Sequence, residues 1–306
     1  MLKDITVLDL THRLPGPLAG KVLADLGASV IKIEDEIHKD PFLEGSFAEF
    51  DESFTDWYQE LNKKKQIKRF DFKSPTIKDD IKKELLKADA ILLSLSAKLK
   101  EKLGVDEKSL RELGKSFAVV ELKASKEHKQ AMHDLNALAA SGFLSLHVAD
   151  RSEHIVTPPF LPFAGISFGQ QVASDLLASY IKASKTGEMV LHTSYLFDSV
   201  VNNFKPFWSD KLRAKSLNKF LHNGAYPCYS LYQLKDGHYV ALAAVEENFW
   251  NVFCQEFSVD IAAAERFSTD EKHFKKLADL FAKYNVNEIE AKISEKEFCL
   301  SIVRKV

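Results

Sequence analysis

The sequence has few cysteines and no long apolar run. Its three cysteines, Cys228, Cys254 and Cys299, are widely spaced and form no CxxC pair, so we expect no disulfide framework and a reducing compartment. No segment approaches the roughly 20 apolar residues that a membrane span needs. The opening MLKDITVLDL lacks the apolar core and cleavage site of a signal peptide. These absences predict a soluble cytoplasmic protein without a membrane partner.

The chain also lacks an excess of either charge. Its 306 residues include 42 Lys and Arg against 44 Asp and Glu, a formal net charge of -2. A nucleic-acid partner would require a clear basic excess, so that class is disfavoured. The histidines give no metal signature either, because His128 and His133 are five residues apart rather than at the HExxH spacing. We therefore assign no metal.

Apolar segments at the start of the chain predict a parallel sheet. Residues 5–10 (ITVLDL) and 29–34 (SVIKIE) predict buried strands, and residues 18–27 between them have helical spacing and end at Gly27. Such a β-α-β unit places its strands parallel. Further strand candidates at 90–95 and 117–123 alternate with helices. We expect a Rossmann-like α/β large domain with an open parallel sheet over residues 1–200.

A second, smaller domain is predicted after a polar connector. The connector covers residues 201–221, and residues 228–245 predict a hairpin around the Asp236-Gly237 turn. Helical patterns follow at 247–257, 270–284 and 286–293. Residues 222–306 are therefore expected to form a small α+β domain.

The turn after the first strand has no dinucleotide signature. A strand, a turn and a helix can hold a phosphate at the helix N-terminus, and Glu34 lies where a Rossmann fold carries its ribose-binding acid. The turn reads P-G-P-L-A-G at 15–20, however, and no GxGxxG occurs. An NAD-dependent dehydrogenase is therefore disfavoured, and an ordinary tight turn stays open as an interpretation.

The pair His133-Asp134 allows two interpretations. Asp134 stands at a predicted helix start, where an N-cap that accepts a backbone N–H would explain it, with His133 as a surface neighbour. The same residue types suit chemistry, because histidine titrates near neutral pH and a carboxylate can act as a nucleophile. Spacing alone favours the structural interpretation.

Three segments resemble one family. Residues 7–34 (VLDLTHRLPGPLAGKVLADLGASVIKIE) resemble the opening of the family III CoA-transferases, the CaiB/BaiF-like group that includes α-methylacyl-CoA racemase. The segment HDLNALAASG at 133–142 resembles the racemase branch. So does GAYPCYSLYQLKDGHYVALAAVEENFW at 224–250.

The resemblance implies an acyl-CoA substrate and a set of site residues. In the racemase branch His133 and Asp134 would be catalytic, and Glu246 would support the histidine. The turn residues Arg13, Leu14 and Pro15 would lie against CoA, and Lys65 and Lys102 match basic positions of the family. The implied reaction is α-proton transfer on a 2-methylacyl-CoA-like thioester. A CoA-transferase with Asp134 as nucleophile and a catalytically silent relative that binds CoA or a protein are the alternatives.

The sequence departs from the family pattern in four places. Asp35 replaces an arginine beside the CoA nucleotide, and Ser96-Ala97-Lys98 replaces Arg-Pro-Gly. The stretch LPFAGISFGQQ at 161–171 has no carboxylate, with Ala164 or Ile166 where the racemases carry a second catalytic acid. The chain also ends before the tail that returns to the large domain. We expect a homodimer, with its interlocking left open.

Overall fold

The computed structural model describes residues 1–128, 131–148, 154–207, 220–294 and 296–304. The chain divides into two compact units, Met1–Ser209 and Asp210–Val306. The division falls inside the predicted connector, whose first four residues instead complete a helix, Leu196–Phe204. No helix within these described ranges is both long and apolar enough to cross a bilayer.

The first unit contains a six-stranded parallel sheet in the order β3-β2-β1-β4-β5-β6. The strands are β1 (Thr6–Leu10), β2 (Ser29–Asp35), β3 (Gln66–Phe70), β4 (Ala90–Leu93), β5 (Ala118–Lys123) and β6 (Val190–Tyr195). This confirms the predicted α/β class. The strand order reverses between β1 and β4, and ligands of open α/β sheets bind outside the carboxyl ends of strands at such a point.

Ten helices of the first unit lie within the described residues. They are α1 (Pro15–Asp25), α2 (Ser46–Phe50), α3 (Ser53–Asn62), α4 (Ile77–Leu85), α5 (Ala97–Leu103), α6 (Glu107–Glu112), α7 (Asp134–Ala140), α8 (Leu144–Val148), α9 (Phe163–Thr186) and α10 (Leu196–Phe204). Two separate helices, α7 and α8, follow the predicted helix start at Asp134, because Gly142 adopts a left-handed φ of 81° between them.

Alternate residues of the strands bury two separate apolar layers. Val7 and its equivalents pack against α1 and α9 on one face of the sheet, and Leu8 and its equivalents pack against α4, α5 and α6 on the other. Helices α1 and α9 approach so closely that a Cβ on Gly169 would lie 2.8 Å from the carbonyl oxygen of Pro15. This contact holds the starts of both helices beside the carboxyl end of β1.

The second unit is a three-stranded antiparallel sheet with helices. Its strands are β7 (Tyr229–Gln233), β8 (Tyr239–Ala243) and β9 (Leu300–Ile302), in the order β7-β8-β9. Its α-helices are α11 (Glu247–Phe257), α12 (Glu271–Phe281) and α13 (Val286–Ile293), with short 3-10 helices at Leu221–Asn223 and Ala263–Phe267. The predicted hairpin is present, and β9 adds a strand that the sequence pattern did not indicate.

Candidate active site

A cavity of about 710 Å³ opens in the first unit near the carboxyl ends of β1 and β5. Its lining comes from the turn after β1, from residues around α2 and α3, from the start of α7 and from the segment before α9. Residues 12–16, Phe42, Phe47, Phe54, Trp57, Ser94, 122–124, 132–135, 158–162 and Phe168 form the walls. The cavity thus collects residues from seven separate parts of the sequence.

Asp134 is the first residue of α7, and its carboxylate turns toward another helix. Asp134 Oδ1 accepts a hydrogen bond of 2.7 Å from the backbone N–H of Gly165, in the first turn of α9. Burial raises the pKa of Asp134, and the N–H groups of Gly165 and Ala164 act in the opposite direction. Asp134 is therefore a half-buried carboxylate that caps the neighbouring helix rather than its own.

His133 occupies the N-cap position of α7 with an extended backbone. Its own N–H donates a hydrogen bond of 3.1 Å to Asn136 Oδ1, which fixes the backbone before the helix. The imidazole is exposed and contributes to the wall of the 710 Å³ cavity, next to Asp134. The predicted pair therefore lies together at one cavity, with different degrees of burial.

The first turn places Arg13, Leu14 and Pro15 in the same cavity. Arg13 has a left-handed φ of 64°, which is costly for a residue with a side chain. Its N–H donates to both carboxylate oxygens of Asp40 at 3.1 Å, and this interaction holds the unusual backbone. The guanidinium lies 5.4 Å from the ring centroid of Phe47, within cation–π range.

Aromatic side chains form one wall of the cavity, which we call the aromatic wall and define as Phe42, Phe47, Phe54 and Trp57. Neighbouring ring centroids lie 4.7 to 6.1 Å apart, mostly edge to face, the arrangement that aromatic pairs prefer. Sequence reasoning missed this wall. The only signal was the high density of aromatic residues at 42–57.

A second cavity, of about 500 Å³, lies outside the carboxyl ends of β1, β2 and β4. Its charged and titratable lining consists of Lys32, Glu34, Asp35, His38, Lys39, Asp40, Lys73, Lys102 and His12. His12 and Ser94 line both cavities, so the two adjoin at the point where the strand order reverses. The predicted ligand Lys102 and the replaced position Asp35 both belong to this second cavity.

Lys65 lies in neither cavity. Its ammonium is 2.8 Å from Asp9 Oδ2 and 2.8 Å from the carbonyl oxygen of Pro17, and both charged side chains are fully buried. Burial acts to raise the pKa of Asp9, but the Lys65 and Lys32 ammonium groups outweigh it and hold that pKa below its ordinary value. In this arrangement Lys65 supports the start of α1, and its predicted contact with CoA stays a prediction.

Glu246 lies in the second unit, at the N-cap position of α11, with an exposed side chain. Glu247, not Glu246, is the acid in the first turn of that helix. The role of Glu246 toward the catalytic histidine stays a prediction.

Two adjoining cavities thus lie near the switch point of an open α/β sheet, where ligands of such sheets bind. Residues 2–306 match CoA-transferase family III, and the chain belongs to this family.

The curated relatives are named either as CoA-transferases or as racemases. The chain is 27% identical over 275 residues to a CaiB/baiF CoA-transferase family protein of Caenorhabditis elegans, covering 85% of this chain and 73% of the relative. It is 26% identical over 297 residues to human alpha-methylacyl-CoA racemase (92% and 72% covered). It is 24% identical over 300 residues to succinyl-CoA:mesaconate CoA-transferase of Haloarcula hispanica (91% and 74% covered).

A solved structure shows the same fold. A CAIB/BAIF family protein from Brucella suis superposes with a TM-score of 0.74 at 17% identity, covering 98% of this chain and 83% of that one.

Proposed function

We propose that the protein acts on an acyl-CoA thioester in the 710 Å³ cavity, with the reacting carbons beside His133 and Asp134. The observation that supports this most strongly is the convergence of the predicted pair, the first turn and the aromatic wall on one cavity. A large, mainly apolar pocket with a few polar groups is the usual form of a small-molecule site.

The two adjoining cavities suit the two ends of such a substrate. The apolar cavity fits an acyl chain, and the charged cavity at the switch point fits the phosphorylated end of CoA. Lys102 on its wall is a candidate partner for a phosphate. CoA is an extended molecule, so its pantetheine arm would pass the boundary that His12 and Ser94 form between the cavities.

The leading reaction is α-proton transfer on a 2-methylacyl-CoA-like substrate. The imidazole of His133 accepts the proton from the α-carbon, and the electron pair of the broken C–H bond moves to the thioester oxygen as an enolate. The imidazolium then returns a proton to the α-carbon. The apolar lining and the racemase relatives support this reaction.

Transfer of CoA is the second candidate, and the state of Asp134 favours it. A desolvated carboxylate is a stronger nucleophile than a solvated one, and burial is what raises the pKa of Asp134. A carboxylate oxygen of Asp134 would attack the thioester carbonyl, and the CoA thiolate would leave to give a mixed anhydride. The transferase relatives support this alternative.

Incubation with a 2-methylacyl-CoA in heavy water separates these reactions. We expect deuterium at the α-carbon with the wild-type protein and its loss, for at least one enantiomer of the substrate, in His133→Ala. A hydroxylamine-sensitive adduct on Asp134 without deuterium exchange would instead establish transfer. If neither occurs while CoA still raises the melting temperature by mass action, the catalytically silent alternative is correct.

The supporting role of Glu246 has its own test. Glu246→Gln should lower the rate of exchange while leaving the affinity for CoA unchanged, because the substituted group would act through His133 rather than on CoA. Equal rates in both proteins would remove Glu246 from the site.

Sedimentation of the full chain tests the predicted homodimer.

A further inference from the structure

Inversion at the α-carbon needs a proton-transfer group on each face, and the chain has no carboxylate at 161–171 to provide the second. The titratable groups that line the 710 Å³ cavity are His12, Arg13, Lys123, His133 and Asp134. Arginine does not release its proton in proteins, and the ammonium of Lys123 is paired with Glu121 at 3.2 Å. His12 is therefore the remaining neutral base besides the predicted pair.

His12 enters the cavity from a different part of the fold than His133. It is the second residue after β1, whereas His133 is the N-cap residue of α7, ten residues after the end of β5. β4 lies between these two strands, so the strand ends are about 10 Å apart at the usual spacing of about 4.8 Å. The two histidines therefore reach one cavity from separate segments of the fold.

A hydrogen bond orients the His12 ring. His12 Nδ1 lies 3.3 Å from Ser94 Oγ, at the carboxyl end of β4. When Nδ1–H donates to the Ser94 hydroxyl oxygen, Nε2 carries the free lone pair. In that tautomer Nε2 is the nitrogen that can accept a proton.

We propose that His12 is the second proton-transfer residue of the site, acting on the face of the α-carbon opposite to His133. This inference rests on the proposed α-proton chemistry. For one enantiomer, the C–H bond breaks, the proton moves to His12 Nε2, and the electron pair forms the enolate. Protonated His133 then delivers its proton to the opposite face. The other enantiomer uses the same two residues in reverse, and exchange with water restores both.

The surroundings of His12 keep the imidazole in its base form. Burial lowers the pKa of His12, and the neighbouring Arg13 and Lys32 cations lower it further. Asp40 and Asp9 act in the opposite direction but do not reverse the shift. The ring is accordingly neutral at neutral pH, as an acceptor must be.

The test compares the two enantiomers of a 2-methylacyl-CoA in heavy water. With wild-type protein, both enantiomers should gain deuterium at the α-carbon. His12→Gln should slow exchange of one enantiomer by about 100-fold or more, the range of a lost general base, and spare the other. His133→Gln should show the reverse preference. His192→Gln, on the exposed side of β6, is the matched control and should change neither rate.

Ser94→Ala gives a second, milder readout. It removes the partner that orients the ring but keeps the imidazole, so it should slow the same enantiomer as His12→Gln by about tenfold. This variant keeps the inference testable if His12→Gln does not fold, as judged by its melting temperature.

The outcomes separate two failures. Equal slowing of both enantiomers in His12→Gln, or no slowing of either, would overturn the role of His12 while leaving α-proton chemistry in place. The absence of exchange in the wild-type protein would overturn the proposed α-proton chemistry and this inference with it.

Discussion

The two cavities of the first unit adjoin at His12 and Ser94 but differ sharply in lining. The larger is bounded by the aromatic wall and by apolar residues of the α7 and α9 starts, whereas half of the residues that line the smaller one are charged or titratable. Under the proposed function, this difference gives the two cavities separate binding tasks at one edge of the sheet. An apolar wall binds an acyl chain by excluding water, whereas charged side chains bind phosphates that remain partly hydrated.

The largest expected effect concerns the buried ion pair of Lys65 and Asp9. Lys65→Met should lower the free energy of unfolding by about 3–5 kcal/mol, because it leaves the Asp9 carboxylate buried without its partner. Urea denaturation of the full chain followed by circular dichroism measures this. Lys64→Met is the control, since its exposed pair with Asp25 should contribute no more than about 1 kcal/mol. A stable Lys65→Met protein that has lost affinity for CoA would instead make Lys65 a ligand.

Trp57→Ala should weaken binding of a 2-methylacyl-CoA by about 30-fold, or about 2 kcal/mol, because Trp57 is part of the aromatic wall. Free CoA should bind this variant as it binds the wild-type protein. Calorimetric titration of both ligands measures the contrast. Equal losses for the two ligands would show that the acyl group does not use the aromatic wall.

Lys102→Ala should weaken free CoA and the acyl-CoA by the same factor, about fivefold, because an exposed cation contributes about 1 kcal/mol or less to an ion pair. The loss should shrink as salt is added. Lys108→Ala, an exposed lysine of α6, serves as the control. A larger loss for the acyl-CoA than for CoA would contradict the division between the cavities.

The smallest effect concerns Asp134. Its pKa is raised in the folded protein, so the unfolded state releases this proton at lower pH than the folded state does. Asp134 consequently lowers the free energy of unfolding once the pH exceeds its folded pKa. Below the ordinary value of about 3.9 the carboxyl is protonated in both states and has no such effect. Asp134→Asn should therefore stabilise the protein at pH 7 by less than about 1 kcal/mol, since the group is half-exposed.

Denaturation of both proteins across the acid range tests this prediction. A gap between their stabilities that widens as the pH falls would contradict it.

The parts of the fold that could be predicted are those whose apolar periodicity reflects burial. β1, β2, β4 and β5 have buried runs and were expected. β3 was missed because it is an edge strand with no fully buried residue. Its sequence, QIKRF, belongs to a lysine-rich stretch. An edge strand has a neighbouring strand on only one side, so more of it is exposed to water than of a central strand and it needs fewer apolar residues.

The site was predictable only in part, and for a similar reason. Resemblance located the His133-Asp134 pair and the first turn, and the structure brings both to one cavity. It could not show that Asp134 binds the N–H of Gly165, 31 residues away. Nor could it show that the ammonium of Lys65 is enclosed by Asp9 and Pro17. Those contacts depend on how α1, α7 and α9 pack, which no local pattern encodes.

The hydrogen bond from Gly165 to Asp134 gives this protein an intrinsic spectroscopic reporter. The amide proton of Gly165 senses the charge on the carboxylate oxygen 2.7 Å from its nitrogen. Its NMR chemical shift would move when Asp134 titrates, and again when that oxygen is esterified or acylated. A single backbone resonance can thus follow the chemical state of the carboxylate through a reaction, without a label on the substrate.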